Sequence, residues 1–133
     1  MNGRKVTLDS NIIVYLSKGQ LKIEKILERY DQFYISIITY MEVMGYQFPG
    51  NEEKKIIKEL LENFKIIYIN SEIAESVISI RQQHKIKLPD AIILATAKFM
   101  RCDLMTRNIK DFQDLVKSVT LVDPFAESQP GIE

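Results

Sequence analysis

The amino-acid sequence predicts an α/β domain with three layers, α/β/α, around a central parallel β-sheet. Short β-type runs alternate with helical patterns along the chain, as they do in βαβ units. Right-handed connections between parallel strands then place the helices on both faces of one sheet. A length of 133 residues, with 46% hydrophobic and 27% charged residues, suits one globular domain. We expect residues 1–125 to form this domain and residues 126–133 to form a flexible tail.

The strands are predicted from short runs of β-branched and apolar residues, and the helices from apolar residues that recur at helical spacing. In chain order these elements are a strand at 4–8, helices at 9–17 and 20–30, a strand at 33–36, helices at 36–45 and 52–64, a strand at 66–69, helices at 71–84 and 90–100, a strand at 104–106, a helical turn at 109–112 and a strand at 119–122. The helix at 20–30 mixes apolar and charged residues and is expected at the surface, whereas the helix at 90–100 is apolar nearly all round and is expected to be buried.

Several boundary residues support these limits. Gly45 is expected to end the helix at 36–45. The turn Phe48-Pro-Gly-Asn51 precedes the next helix, with Asn51 as its expected N-cap and two glutamates in its first turn. Pro89 fits the first turn of the helix at 90–100.

The composition restricts the possible function. Lys and Arg total 18, as do Asp and Glu, so the chain lacks the strongly basic character of proteins that bind nucleic acid by charge alone. A nucleic-acid partner would need a local patch, a metal ion or a second subunit. The single cysteine, Cys102, excludes an internal disulfide and fits a reducing cytoplasm. Because no apolar run approaches about 20 residues, we expect neither a membrane span nor a signal peptide.

Three acidic residues stand beside otherwise apolar stretches: Asp9 in VTLDSNIIVYL, Glu42 in ISIITYMEVMGY and Asp90 in LPDAIILATA. An uncompensated carboxylate in such a setting costs several kcal/mol, so it requires a partner or a function. The simplest shared function is a cluster of oxygen ligands for a hard divalent cation, Mg²⁺ or Mn²⁺.

Each of these residues also has a purely structural interpretation. Asp9 can cap the following helix, and Asp90 can interact favourably with a helix dipole. Glu42 could pair with a basic residue, although none lies within one helical turn of it. Glu42 instead shares one helical stripe with Ser36 and Thr39.

A second group of polar residues follows the strand at 104–106. Thr106, Asn108 and Asp111 could supply hydroxyl, amide and carboxylate oxygens, and Arg107 and Lys110 could meet a phosphate. Asn11 adds a further oxygen near Asp9. The lone histidine, His84, is interpreted as a solvated residue at a helix end, and together with the lone cysteine it makes a poor case for a thiol hydrolase.

Taken together, four segments resemble the PIN-domain ribonuclease family, in particular the small VapC-type toxins of prokaryotic toxin–antitoxin pairs. The matching segments, spread over about residues 5–124, are Leu-Asp9-Ser-Asn-Ile-Ile, the helix of Glu42 after Ile-Ser-Ile-Ile-Thr, Leu-Pro-Asp90-Ala-Ile-Ile-Leu-Ala-Thr-Ala, and Leu-Met-Thr106-Arg-Asn-Ile-Lys-Asp111-Phe.

This resemblance implies a PIN-like fold and a site in which Asp9, Glu42 and Asp90 bind Mg²⁺ or Mn²⁺. It implies an endoribonuclease that hydrolyses RNA phosphodiester bonds by metal-activated water, with one or two metal ions. Many members carry Asp where this chain has Asn108, and Asp111 is the candidate for that fourth acidic position. Asn11, Thr106, Arg107 and Asn108 are then expected to orient the substrate phosphate or the ligands. The resemblance also implies a homodimer and a cognate antitoxin protein.

Two alternatives stay open. Asn108 in place of Asp favours a catalytically inactive PIN-like module that binds RNA or another protein. A phosphatase for small molecules would use similar carboxylate chemistry, but it usually needs a second Asp two residues after the first, where Asn11 stands.

Overall fold

A five-stranded, fully parallel sheet lies at the centre of the computed structural model, which describes residues 3–126. Its strands are β1 (Lys5–Leu8), β2 (Gln32–Ser36), β3 (Lys65–Ile67), β4 (Asp103–Met105) and β5 (Leu121–Val122). They are arranged in the order β3-β2-β1-β4-β5, and every neighbouring pair is parallel. The predicted α/β class and parallel sheet are therefore confirmed.

Seven helices within the described residues cover the two faces of this sheet. They are α1 (Ser10–Ser17), α2 (Ile23–Arg29), α3 (Ile37–Met44), α4 (Asn51–Leu61), α5 (Ser71–Gln83), α6 (Leu88–Met100) and α7 (Ile109–Phe112). No helix in this part of the chain combines the length and the apolar character that crossing a bilayer would require.

The core consists of two apolar clusters, one on each face, because successive strand residues point to opposite sides of the sheet. Ile35 and Met105 join the first cluster with side chains of α1, α2, α3 and α4. Their strand neighbours Tyr34 and Leu104 join the second cluster with α5, α6 and α7. In α6 every residue from Ala91 to Ala97 is buried, as the apolar pattern predicted.

The structure corrects one predicted helix cap. Gly50, whose backbone is extended, is the N-cap of α4, so the N-cap residue provides no capping side chain for this helix. Asn51, the expected N-cap, is instead the first helical residue. The predicted stop at Gly45 is confirmed, since Gly45 is the C-cap of α3. A Cβ there would lie 2.7 Å from the carbonyl oxygen of Met41, so the close approach of the backbone favours glycine at this position.

The helical turn predicted at 109–112 is confirmed, whereas most other predicted elements exist with shorter or shifted limits. The helix expected at 20–30 covers only Ile23–Arg29, and the one expected at 52–64 ends at Leu61. The strand expected at 66–69 ends at Ile67, and Tyr68 beyond it is exposed. Terminal residues fray into turns, so sequence patterns place such limits only to within a few residues. The predicted tail lies outside the described residues except for Ala126.

A polar contact joins β1, α2 and β4 near the amino ends of the strands. The Tyr30 hydroxyl donates to Asp103 Oδ2 at 2.9 Å, and Arg4 Nη2 lies 3.4 Å from the same oxygen. Burial, with a smaller contribution from Asp103, raises the pKa of Tyr30 to about 12. This contact helps to hold β4 beside β1, which in turn aligns the carboxyl ends where the site residues lie.

Candidate active site

The predicted site residues lie at the carboxyl edge of the sheet, where open parallel sheets bind their ligands. Asp9 directly follows β1 and is the N-cap of α1. Thr106 directly follows the neighbouring strand β4. The backbone N–H of Asp9 donates to the carbonyl oxygen of Met105 at 2.9 Å, so the ends of the two strands are joined.

Asp9 is only 4% exposed, and both of its carboxylate oxygens accept hydrogen bonds. Oδ1 accepts from the backbone N–H of Ser10 at 2.7 Å, which confirms the predicted capping role. Oδ2 accepts from the buried hydroxyl of Thr106 at 2.7 Å. That hydroxyl in turn accepts from the backbone N–H of Asn108 at 2.9 Å. The loop after β4 is therefore fixed against the first acidic residue.

Glu42 reaches the same corner from α3. Its Oε1 accepts from the hydroxyl of Ser10 at 2.6 Å, and a 3.1 Å hydrogen bond links the hydroxyls of Ser10 and Thr39. Glu42 forms no ion pair within residues 3–126, so a basic partner does not explain its position. Ser10 is absent from the predicted site residues, although it stands between the predicted residues Asp9 and Asn11 in the sequence.

Asp90 lies in the first turn of α6 and is half-buried. Burial is the largest cause of its raised pKa, and repulsion from Asp111 and Glu42 adds to it, while Lys87 opposes the shift. Asp111 itself is exposed on α7. The fourth predicted carboxylate is therefore close enough to influence Asp90.

The pKa of Asp9 is also raised, first by burial. The hydrogen bonds from Thr106 and Ser10 oppose that rise, and repulsion from Asp90 and Glu42 adds to it. Asp9, Glu42, Asp90 and Asp111 thus form one electrostatic group. A cation among these four residues, termed here the acidic cluster, would relieve the repulsion.

The donor atoms of the acidic cluster fit a hard divalent cation, which prefers carboxylate oxygens. The arrangement is open, because no group of three His, Cys, Asp or Glu side chains in the described part of the chain is placed closely enough to hold a metal ion. Mg²⁺ is compatible with such openness, since it retains several waters and commonly uses only one or two carboxylates.

The remaining predicted residues occupy different settings. Asn11 and Asn108 are exposed, and Asn11 lines a groove that also includes Glu42. Arg107 is exposed, and its guanidinium lies 4.1 Å from the centre of the Phe125 ring.

Cys102 is buried, and its Sγ lies 3.0 Å from the Thr7 hydroxyl. Burial raises the pKa of this thiol, which fits a structural role.

A groove of about 570 Å³ opens beside the acidic cluster between α1, α3 and α4. Its polar end carries Ser10, Asn11 and Glu42. Most of the remaining lining is apolar, with Val14, Val43, Tyr46, Phe48, Pro49, Ile56 and Ile57, and it also includes Ser17, Lys18 and Glu53.

Residues 6–117 match the PIN-domain family profile. Ribonuclease VapC1 of Haemophilus influenzae is 33% identical over 120 aligned residues, which cover 80% of this chain and 88% of that protein.

Two solved structures are similar throughout the fold. One is a toxin–antitoxin complex from Klebsiella pneumoniae, with a TM-score of 0.75, 40% identity, and coverage of 90% of this chain and 97% of that chain. The other is VapBC-1 from nontypeable Haemophilus influenzae, with a TM-score of 0.73, 27% identity, and coverage of 91% and 98% respectively.

Asp90→Asn should stabilise the metal-free protein at neutral pH, because it removes a carboxylate whose ionisation is disfavoured. The pKa of Asp90 is higher in the folded chain than in the unfolded chain. The parent's free energy of unfolding should therefore fall as pH rises from about 4 through the raised pKa, and the variant should show a smaller fall, because the raised pKa of Asp9 remains. Urea unfolding in chelator across this pH range measures the difference.

Added Mn²⁺ should raise the free energy of unfolding of the parent more than that of the variant. Glu59→Gln, on the exposed surface of α4, is the control and should follow the parent. Equal stabilisation of Asp90→Asn and parent by Mn²⁺ would contradict a ligand role for Asp90.

Proposed function

We propose that this chain, which belongs to the PIN-domain family, is a divalent-metal-dependent endoribonuclease of the VapC type. The proposal rests chiefly on the acidic cluster, in which a buried carboxylate at the end of a central strand feels the charges of two others. The ribonuclease name of the H. influenzae relative supports RNA as the substrate.

Asp9 and Asp90 are proposed as the direct ligands of Mg²⁺ or Mn²⁺. Glu42 either ligates the ion or orients the attacking water, and Asp111 takes the fourth acidic position. When bound, the metal neutralises charge on the phosphoryl oxygens and makes a water more acidic. The site residues provide negatively charged groups for it, and Asp9 and Glu42 are already held by hydrogen bonds.

The neighbouring polar groups then have distinct roles. Thr106 holds the Asp9 carboxylate in one orientation by donating to Oδ2. Asn11 and Asn108, both exposed at the edge of the cluster, can donate amide hydrogens to substrate phosphate. Arg107 adds a positive charge that attracts the RNA backbone.

A catalytically inactive RNA-binding or protein-interaction module is the second candidate. The observation that favours it is Asn108, which lacks the charge that many family members have there. Asp111 weakens this argument, because its charge acts on Asp90 from the adjacent short helix. The nuclease is therefore the better-supported function.

We further propose an antitoxin partner that covers the groove between α1, α3 and α4. The similar K. pneumoniae structure is described as a toxin–antitoxin complex, which supports a partner of this kind. The apolar wall suits a segment with apolar side chains, and the carboxylate of Glu42 at its end suits a basic residue. Such a partner would block access to the acidic cluster.

RNA cleavage should depend on Asp9 and Asp90. Asp9→Asn and Asp90→Asn should each lower the cleavage rate by about 100-fold or more, because each removes a proposed ligand. The measurement is cleavage of single-stranded RNA with Mn²⁺, with and without chelator. Glu59→Gln should cleave at the parent rate.

The outcomes separate the two candidates. Chelator-sensitive cleavage that both Asp variants lose supports the nuclease. A parent protein that binds RNA or a protein partner without cleaving, at any Mn²⁺ concentration, favours the inactive module.

Ile56→Asp should let the enzyme escape its antitoxin while leaving cleavage intact. Ile56 lines the groove and is 43% exposed, so a charge there disturbs docking more than folding. Ile78→Asp, on α5 and 49% exposed, is the matched control and should stay inhibited. The measurement is RNA cleavage by each variant with increasing candidate antitoxin. Full inhibition of Ile56→Asp would place the antitoxin elsewhere.

We also expect a homodimer, as the family resemblance implies. Light scattering at micromolar concentration should give about twice the chain mass of 15.5 kDa. A monomer at that concentration would remove this part of the proposal.

A further inference from the structure

Arg107 is part of a compact group with two aromatic rings. Its guanidinium carbon lies 4.1 Å from the centre of the Phe125 ring and 5.5 Å from that of Tyr15. The two rings contact each other edge to face, with centres 5.0 Å apart. We call these three residues the arginine clamp.

The arginine clamp is connected to the acidic cluster at two points of the chain. Arg107 directly follows Thr106, whose hydroxyl bonds Asp9. Tyr15 stands one helical turn after Asn11 on α1, so both residues share one side of that helix.

Phe125 is brought to this position by the chain that follows β5. That strand pairs with β4, placing Val122 opposite Met105, and the backbone N–H of Phe125 donates to Asp123 Oδ1 at 2.9 Å. The end of the described chain is therefore packed against the loop that holds Asp9.

The clamp leaves the charge of Arg107 available. Arg107 is exposed and forms no ion pair with a carboxylate among residues 3–126. The guanidinium carbon lies over the two rings, and a cation–π contact leaves the N–H donors of an arginine able to bind a phosphate. A flexible arginine loses rotamer freedom when it binds, whereas one already packed against rings loses less.

We propose that Tyr15 and Phe125 are positioning residues that hold Arg107 ready to bind a phosphate of the RNA beside the acidic cluster. This inference rests on the proposed ribonuclease function for its substrate. The clamp acts on substrate binding and not on the chemical step.

The test uses full-length variants and a fluorescein-labelled single-stranded RNA of mixed sequence. Phe125→Leu should raise KM about two- to fivefold with kcat unchanged, the size expected for one exposed cation–π contact. The same factor should appear as weaker RNA binding in an Asp90→Asn background, where cleavage does not interfere. Phe125→Trp should restore both values.

Phe33→Leu is the matched control. Phe33 is also half-buried and forms an edge-to-face pair, with Phe64 at 6.4 Å, and no arginine of the described residues lies over its ring. It should leave KM and RNA binding unchanged, and thermal unfolding of both variants shows any general loss of stability.

Two arginine variants extend the test without altering the core. Arg107→Ala should reduce the slope of log affinity against log salt by about 0.7, the contribution of one phosphate contact on a single strand. Arg107→Lys retains the charge but not the planar stacking, so it should weaken binding as Phe125→Leu does. In the Arg107→Ala background, Phe125→Leu should have no further effect on binding.

The inference is overturned if Phe125→Leu and Arg107→Lys bind RNA like the parent, which would leave the clamp a purely structural contact. It is also overturned if kcat falls at constant KM. A parent that fails to cleave while the binding pattern holds would refute the proposed nuclease function and support the clamp. Normal parent cleavage with unchanged binding in these variants would refute only the clamp.

Discussion

The burial of the Asp9 carboxylate is the constraint on which the rest of the site depends. A buried carboxylate costs several kcal/mol, and each hydrogen bond to a charged group returns about 1.5–3 kcal/mol. Asp9 has two such bonds, from Ser10 and Thr106, yet its pKa remains above the ordinary value. Burial therefore outweighs the hydrogen bonds, and the nearby carboxylates add to the imbalance. A divalent cation would compensate all of these charges at once, which gives the arrangement a chemical purpose that a helix cap alone does not need.

The parallel sheet explains why these carboxylates meet. β1 lies at the centre of the sheet with β4 beside it, so Asp9 and Thr106 follow neighbouring strand ends. Helices that connect parallel strands run back across the sheet, and their amino ends therefore lie at its carboxyl edge. This places the start of α1 and the first turn of α6, with Asp90, at one edge. The partial positive charge of the helix amino ends also favours anions there.

Helix α1 connects three functional surfaces. Its first turn holds the acidic cluster, because Ser10 bonds both the Asp9 and the Glu42 carboxylates. One side, with Asn11 and Val14, lines the apolar groove. Tyr15 belongs to the arginine clamp, together with Phe125 from the segment after β5. A partner in the groove and a substrate at the clamp would therefore contact the same short helix that carries the site.

The sequence predicted the order of strands and helices along the chain, the burial of α6 and the candidate acidic residues. It could do so because periodicity and the placement of charges beside apolar runs are local properties. The limits of the elements were predicted less accurately. The N-cap of α4 is Gly50, whose backbone is extended, and not the predicted Asn51. Only the tertiary structure decided that Ser10 bonds Glu42, 32 positions away, and that Arg107 stacks on Phe125. These contacts depend on how helices pack across a sheet, and no local pattern encodes the distance between residues that meet only after folding.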